Sequence, residues 1–130
     1  MNHKIIFLGR GYLGLDVLNR LLKAERFEVT TMFICSGDTE VGLCDNQFKA
    51  IAHNHKIPIY FENNLNQEWV LNKMRAISPD LMVGMLWRHT ISEQIVQASR
   101  LGILNLHAGD LPRYRGNACQ TWAILNEEKE

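Results

Sequence analysis

The sequence predicts an α/β domain built on a doubly wound, mostly parallel sheet with helices on both faces. Three observations carry that prediction. Short apolar runs alternate with longer amphipathic ones five times along 130 residues. The short runs have no polar face to turn toward water, so they call for cover on both sides. A glycine-rich turn, Gly9-Arg-Gly-Tyr-Leu-Gly14, joins the first run to the first amphipathic stretch. Right-handed crossovers between parallel strands then make the sheet Rossmann-like.

Lys4 to Leu8 reads as the first strand. Leu15, Leu18, Leu21 and Leu22 follow at helical spacing, which predicts a helix from Leu15 to Ala24. Glu28 to Cys35 is rich in β-branched residues and closes on the turn cluster Ser36-Gly37-Asp38. Phe48, Ile51 and Ala52 mark a second helix, and Ile57 to Phe61 a third strand. Val70, Met74 and Ile77 carry a third helix, stopped by Ser78-Pro79-Asp80. Leu81 to Leu86 is the fourth strand, Ser92 to Ser99 a short helix, and Ile103 to Leu106 the fifth strand. A loop bearing glycine and proline leads to a last helix from Asn117 to Leu125. No linker, repeat or low-complexity tract intervenes, so residues 1–130 read as one domain. The last residues, Glu127-Glu-Lys-Glu130, end a helix with no closing strand, which suggests a domain incomplete at its C-terminus.

Fourteen basic and 14 acidic residues cancel, with 46 % hydrophobic and 22 % charged residues, the composition of a folded water-soluble domain. Zero net charge argues against wrapping nucleic acid or resting on anionic lipid through bulk electrostatics. The longest apolar stretch, Leu81 to Trp87, is broken by Gly84 and too short to cross a bilayer. The start has no cleavable leader pattern, so a cytoplasmic location is expected. Cys35, Cys44 and Cys119 are odd in number without CxxC spacing, which fits a reducing compartment and no zinc knuckle. His53 and His55 sit two apart on a predicted helix and share no face, so they read as solvated and no metal is expected.

Two segments carry chemistry. Gly9, Gly11 and Gly14 spell GxGxxG between a strand and a helix, and Asp38 stands where a ribose-binding acid would. On that reading the chain is a non-catalytic dinucleotide-binding module, with pyrophosphate on a helix amino terminus. The plainer reading is a tight turn and close helix–sheet packing with nothing bound. The second segment is Asn105-Leu-His-Ala-Gly-Asp-Leu-Pro-Arg-Tyr-Arg-Gly116. Asn105 and His107 are two apart on a strand and point to one side, at the carboxyl end where such sheets hold ligands. An amide and an imidazolium side by side are two donors for an oxyanion, and the imidazole exchanges protons near neutral pH.

The Asn-x-His pair, the run Leu-Pro-Arg-Tyr-Arg-Gly and the Trp-Ala-Ile that follows resemble the signature of formyltransferases that use 10-formyltetrahydrofolate. The resemblance covers essentially the whole chain and implies the amino-terminal, folate-binding part of that family's catalytic domain. It is strongest to enzymes that formylate nucleotide-linked amino sugars such as UDP-4-amino-4-deoxy-L-arabinose, which share Arg88-His89 and the Arg-Tyr-Arg-Gly-Asn turn. It is weaker to methionyl-tRNA formyltransferase, the alternative reading, and weaker again to the glycinamide ribonucleotide enzyme. It implies a small-molecule amine acceptor, no membrane, and nucleic acid only if tRNA is the acceptor. His107 matches the family's general acid/base and Asn105 its oxyanion-stabilising asparagine. His89, Thr90 and Ile91 match the loop that receives the pterin, and Asn117 a further folate contact. Gly109-Asp110 replaces Ser-Leu of relatives and adds a carboxylate near the site. The family's catalytic aspartate has no counterpart in these 130 residues, so the resemblance implies an inactive chain on its own. The last helix, with Trp122, Ile124 and Leu125, is expected to expose an apolar patch that favours a homo-oligomer or a partner chain.

Overall fold

Strand follows helix in strict alternation in the computed structural model, which describes residues 1–36 and 44–129. The strands are β1 (His3–Gly9), β2 (Phe27–Ile34), β3 (Ile59–Phe61), β4 (Leu81–Met85) and β5 (Ile103–Leu106). The helices are α1 (Gly11–Lys23), α2 (Asp45–His55), α3 (Glu68–Ile77), α4 (Glu93–Val96) and α5 (Cys119–Leu125). The sheet runs β3-β2-β1-β4-β5 and every pairing is parallel.

That order explains the two-sided cover. From β1 to β3 the chain steps one way, and α1 and α2 bury Leu15, Leu18, Phe48 and Ala52 against Phe7, Met32 and Ile34. From β3 it returns past β1 and steps the other way, and α3 and α4 bury Val70, Met74 and Ile95 against Ile6, Leu8, Phe33 and Met82. Reversing the direction while keeping one crossover hand moves the helices to the opposite face. Each large core side chain so buried contributes on the order of 1.5–3 kcal/mol by leaving water.

Departures from the predicted boundaries have local causes. Pro58 lacks an N–H, so it can only accept in the ladder, from Met32 N at 2.9 Å, and β3 begins after it at Ile59 instead of Ile57. The fourth helix shrinks to one turn, opened by Ser92, whose hydroxyl accepts from Ile95 N at 3.5 Å. The last helix starts at Cys119, after Ala118 takes a left-handed conformation (φ 56°), two residues later than expected. The largest shift is in α1, which starts at Gly11, four residues before Leu15.

Two-sided cover fails at β5. Leu104 and Leu106 lie on the α1 side of the edge strand and are 65 % and 53 % exposed. Trp122, Ile124 and Leu125 are also exposed, as expected for the last helix.

At the opposite rim, Asp80 ties three starts together. Its carboxylate accepts from the Lys4 backbone N–H and from Arg100 Nε, both at 2.9 Å. The Lys4 amide first, then Arg100, hold this carboxyl below the usual aspartate range. A depressed folded-state pKa contributes stability above the unfolded value near 4, lost as pH falls through the lower folded value. Acid unfolding followed by circular dichroism is therefore expected to be less steep below about pH 4 in Asp80→Asn than in the wild type. Superimposable slopes would remove Asp80 from the acid response.

Candidate active site

The site grows from the ends of β4 and β5. Gly84 and Asn105 are partners in the parallel ladder. A Cβ on Gly84 would stand 2.6 Å from Asn105 Oδ1, so the missing side chain is the space in which the Asn105 amide lies. One residue past Met85 the chain turns sharply, with Leu86 at φ 55°, and Trp87 drops into the core. His107 follows directly after the last β5 residue.

The loop from Ala108 to Ala118 folds back over His107. Tyr114 N donates to Asp110 O at 2.7 Å and closes a tight turn. His107 Nε2 lies 2.6 Å from Tyr114 O. A carbonyl only accepts, so Nε2 carries a proton in this contact, and in the neutral ring Nδ1 is the basic nitrogen. Cys119 is buried beside it: its thiol donates to Tyr114 O (3.3 Å) and Gly116 O (3.2 Å), with Sγ 3.4 Å from Nε2. Glu128 fastens the outer side of the loop, accepting from Tyr114 OH at 2.8 Å and pairing with Arg113.

Gly109 is where this turn tolerates nothing larger. An added Cβ would sit 2.6 Å from the backbone oxygen of Tyr114, which cannot swing aside, and 2.8 Å from Cys119 Cβ and Sγ. Gly109→Ala is expected to lower stability by about 1–3 kcal/mol, the usual range for overpacking, in a denaturant titration. An unchanged midpoint would mean that the turn opens freely.

A cavity of about 350 Å³ lies over these strand ends, lined by Asn105, His107, Asn117, Trp87, Arg10 and Arg88 among others. It holds three of the six expected site residues. Asn117 Nδ2 also donates to Arg88 O at 3.4 Å and joins the two loops. His89, Thr90 and Ile91 do not line it. His89 is exposed, edge-on to Trp87 at 6.4 Å; Thr90 O accepts from the Asn66 amide; Ile91 is half-buried against the core. The Asp110 carboxylate expected near the site lines a neighbouring cavity of about 430 Å³, with Tyr114, Ile124 and Glu128.

The glycine motif looks different in space than in sequence. Gly9 ends β1 and Gly11 begins α1, so Arg10 alone connects them. A Cβ on Gly14 would touch Phe48 at 3.4 Å and the Gly9 backbone at 3.7 Å, the close packing of the plainer reading. Gly37 and Asp38 lie outside the described residues. His53 and His55 are exposed on α2. No helix among the described residues is long and apolar enough to cross a membrane, and no cluster of potential metal ligands occurs among them.

Sequence reasoning passed over Gly84, Arg10, Cys119 and Asn66. The first two could have been found from strand pairing and from the shortness of the turn. Cys119 and Asn66 act through contacts that no local pattern announces.

A doubly wound parallel sheet with a polar cavity at its strand ends, beside the point where strand order reverses, is the layout of a strand-end α/β enzyme domain. The chain belongs to the formyltransferase family: residues 3–130 match the family model described as Formyl transferase. It is 32 % identical over 130 residues to methionyl-tRNA formyltransferase of Geobacter metallireducens, covering 97 % of this chain and 41 % of that protein. It is 30 % identical over 120 residues to the bifunctional polymyxin resistance protein ArnA of Wigglesworthia glossinidia brevipalpis, covering 92 % of this chain and 18 % of that one. The chain thus spans less than half the length of either relative. Among solved structures, phosphoribosylglycinamide formyltransferase from Bacillus halodurans superposes with a TM-score of 0.69 at 15 % identity, covering 95 % of this chain and 65 % of that one. The Brucella melitensis counterpart gives 0.68 at 17 %, covering 98 % and 68 %. The formyltransferase fold expected from the resemblance is confirmed. Near-equal identity to two relatives of different name leaves the acceptor to chemistry.

Proposed function

We propose that the chain contributes the folate-binding and catalytic core of a cytoplasmic enzyme that moves a formyl group from 10-formyltetrahydrofolate to a primary amine. The observation that carries this is the cavity that gathers Asn105, His107 and Asn117. Its volume, about 350 Å³, lies at the low end for ligand pockets and suits a compact reacting head rather than a whole donor. The space over Gly84, which a Cβ would fill, fits a site that keeps the Asn105 amide beside a ligand carbonyl. The bound donor supplies the formyl carbonyl. Asn105 Nδ2–H donates to the oxygen on which negative charge develops, and the ring of His107 donates when doubly protonated. With Nε2–H held by Tyr114 O, Nδ1 of the neutral ring takes up the proton that the attacking amine must lose, and the ring so protonated is the one that donates to the oxygen.

For the acceptor, the same reading favours the amino group of a nucleotide-linked sugar. Arg10 and Arg88 line the cavity and none of the described residues lining it is acidic, which suits a substrate carrying phosphate. Equal numbers of acidic and basic residues weigh against a tRNA-sized polyanion. Initiator methionyl-tRNA is the second reading, supported by the relative of that name. A catalytically complete, longer form carrying this domain would be given 10-formyltetrahydrofolate with UDP- or dTDP-amino sugars, and separately with initiator methionyl-tRNA. Formylated amino sugar is the expected product; formyl-methionyl-tRNA alone would replace the acceptor assignment. Titration with 5-formyltetrahydrofolate and with NADH separates both from a dinucleotide-binding module, which would respond to NADH only.

A further inference from the structure

We propose that Asn66 is a positioning residue that holds the loop between β4 and α4 in the shape folate requires. The inference rests on the folate reading above. Its starting point is a side-chain amide that behaves as a piece of backbone. Asn66 Nδ2 donates to Thr90 O at 2.9 Å, and Asn66 Oδ1 accepts from Ser92 N at 2.7 Å. One planar carboxamide thus brackets the peptide units on both sides of Ile91, as a neighbouring strand would.

The bracket stands on a rigid footing. Leu65, beside it, is 1 % exposed and packs in the same core cluster as Trp87 and Ile95. Asn66 N is held by Asn64 Oδ1 at 3.0 Å, so the residue is fixed through its own main chain as well. The same turn repeats the device at β2, where Asn63 accepts from Ser36 N and donates to Ser36 O, both at 3.0 Å. The connection after β3 therefore reaches along the carboxyl rim of the sheet and fastens the exits of β2 and β4.

The fastening bears on the site because residues 86–92 are otherwise irregular and lead directly into Ser92, the cap of α4. Their near end carries Trp87 and Arg88, which line the cavity. Unbracketed, Thr90 O and Ser92 N would turn to water and the loop would sample many conformations, all but one of which a ligand would have to exclude on binding.

The test uses the full chain and the unreactive analogue 5-formyltetrahydrofolate. Dissociation constants would be measured for wild type, Asn66→Ala and Asn66→Asp, beside amide exchange at Ser92 and the titration of the His107 ring by NMR. Asn66→Ala is expected to weaken the analogue roughly tenfold, the worth of one to two net hydrogen bonds, and to speed Ser92 exchange. Asn66→Asp retains the acceptor for Ser92 N–H and loses the donor to Thr90 O, so its affinity should fall between the two. The His107 titration should be the same in all three, because general loosening of the strand ends would alter it. Wild-type affinity in Asn66→Ala with faster Ser92 exchange would overturn the positioning role alone. Failure of the wild type to bind the analogue would overturn the folate reading and this inference with it.

Discussion

Replacing His107 by alanine in an active form of the enzyme is expected to lower turnover by roughly two to three orders of magnitude, and Asn105→Ala by a similar factor. The two losses have different origins. Asn105 brings an uncharged donor, worth on the order of 3 kcal/mol when aimed at a developing oxyanion in a site shielded from water. His107 brings proton exchange, because an amine that attacks a carbonyl becomes cationic and must shed a proton before product forms. The fold sets both side chains against rigid partners. Asn105 lies over Gly84, and His107 Nε2 is held 2.6 Å from Tyr114 O. Both act on one transition state, so the double variant should lose less than the product of the single effects. Steady-state kinetics of the three variants decides the matter. Near-normal turnover in either single variant would remove the role given to that residue.

Much of the fold could be read from periodicity because the strands that matter most are buried on both faces and hence apolar. Ile5 to Leu8 and Met32 to Ile34 are almost without solvent contact, and no other local structure suits such short apolar runs between amphipathic ones. Periodicity fails where the backbone departs from its regular repeat. In β2 the register slips at Thr30, whose hydroxyl donates to Ile5 O at 3.1 Å, so Val29 and Met32 face the same core cluster although three residues apart. A period-2 reading puts them on opposite faces. In α1 the glycines that resembled a phosphate cradle are consumed by the strand's last residue and the helix's first. That motif describes a sharp turn, and a sharp turn satisfies it with or without a ligand.

The candidate site was legible to the extent that it is local. Asn105 and His107 fall together because a strand fixes residues two apart on one side, and Asn117 reaches them because the intervening loop doubles back. His89, Thr90 and Ile91 come from another strand end, and their placement depends on Asn66, more than 20 residues earlier in the chain. Nothing in the stretch Glu62-Asn-Asn-Leu-Asn-Gln67 marks which asparagine reaches the exit of β2, which that of β4 and which only its own turn. The decision is made by Leu65, which the core claims and which thereby aims its neighbour.

Gly84→Ala is expected to reproduce most of the Asn105→Ala loss, a fall in turnover of roughly a hundredfold, without changing a residue that touches substrate. Gly84 sits in the middle of the sheet's carboxyl half, paired with Leu8 on one side and Asn105 on the other. A methyl group there would come within 2.6 Å of Asn105 Oδ1, 3.2 Å of its Cγ and 3.3 Å of its Cβ. The nearest obstacle is the far end of a side chain, so the cheap response is for the amide to rotate away and leave the strands paired. Alanine also suits a strand better than glycine in conformational entropy, by about 0.5–1 kcal/mol, which offsets part of the crowding. Thermal stability should therefore change little while turnover falls. The double variant Gly84→Ala/Asn105→Ala makes the argument quantitative. If the methyl acts by displacing the amide, removing the amide first leaves it nothing to displace, and the double variant should turn over as slowly as Asn105→Ala alone. Independent, multiplying losses would show that Gly84 serves the site by another route, such as direct room for the ligand over β4.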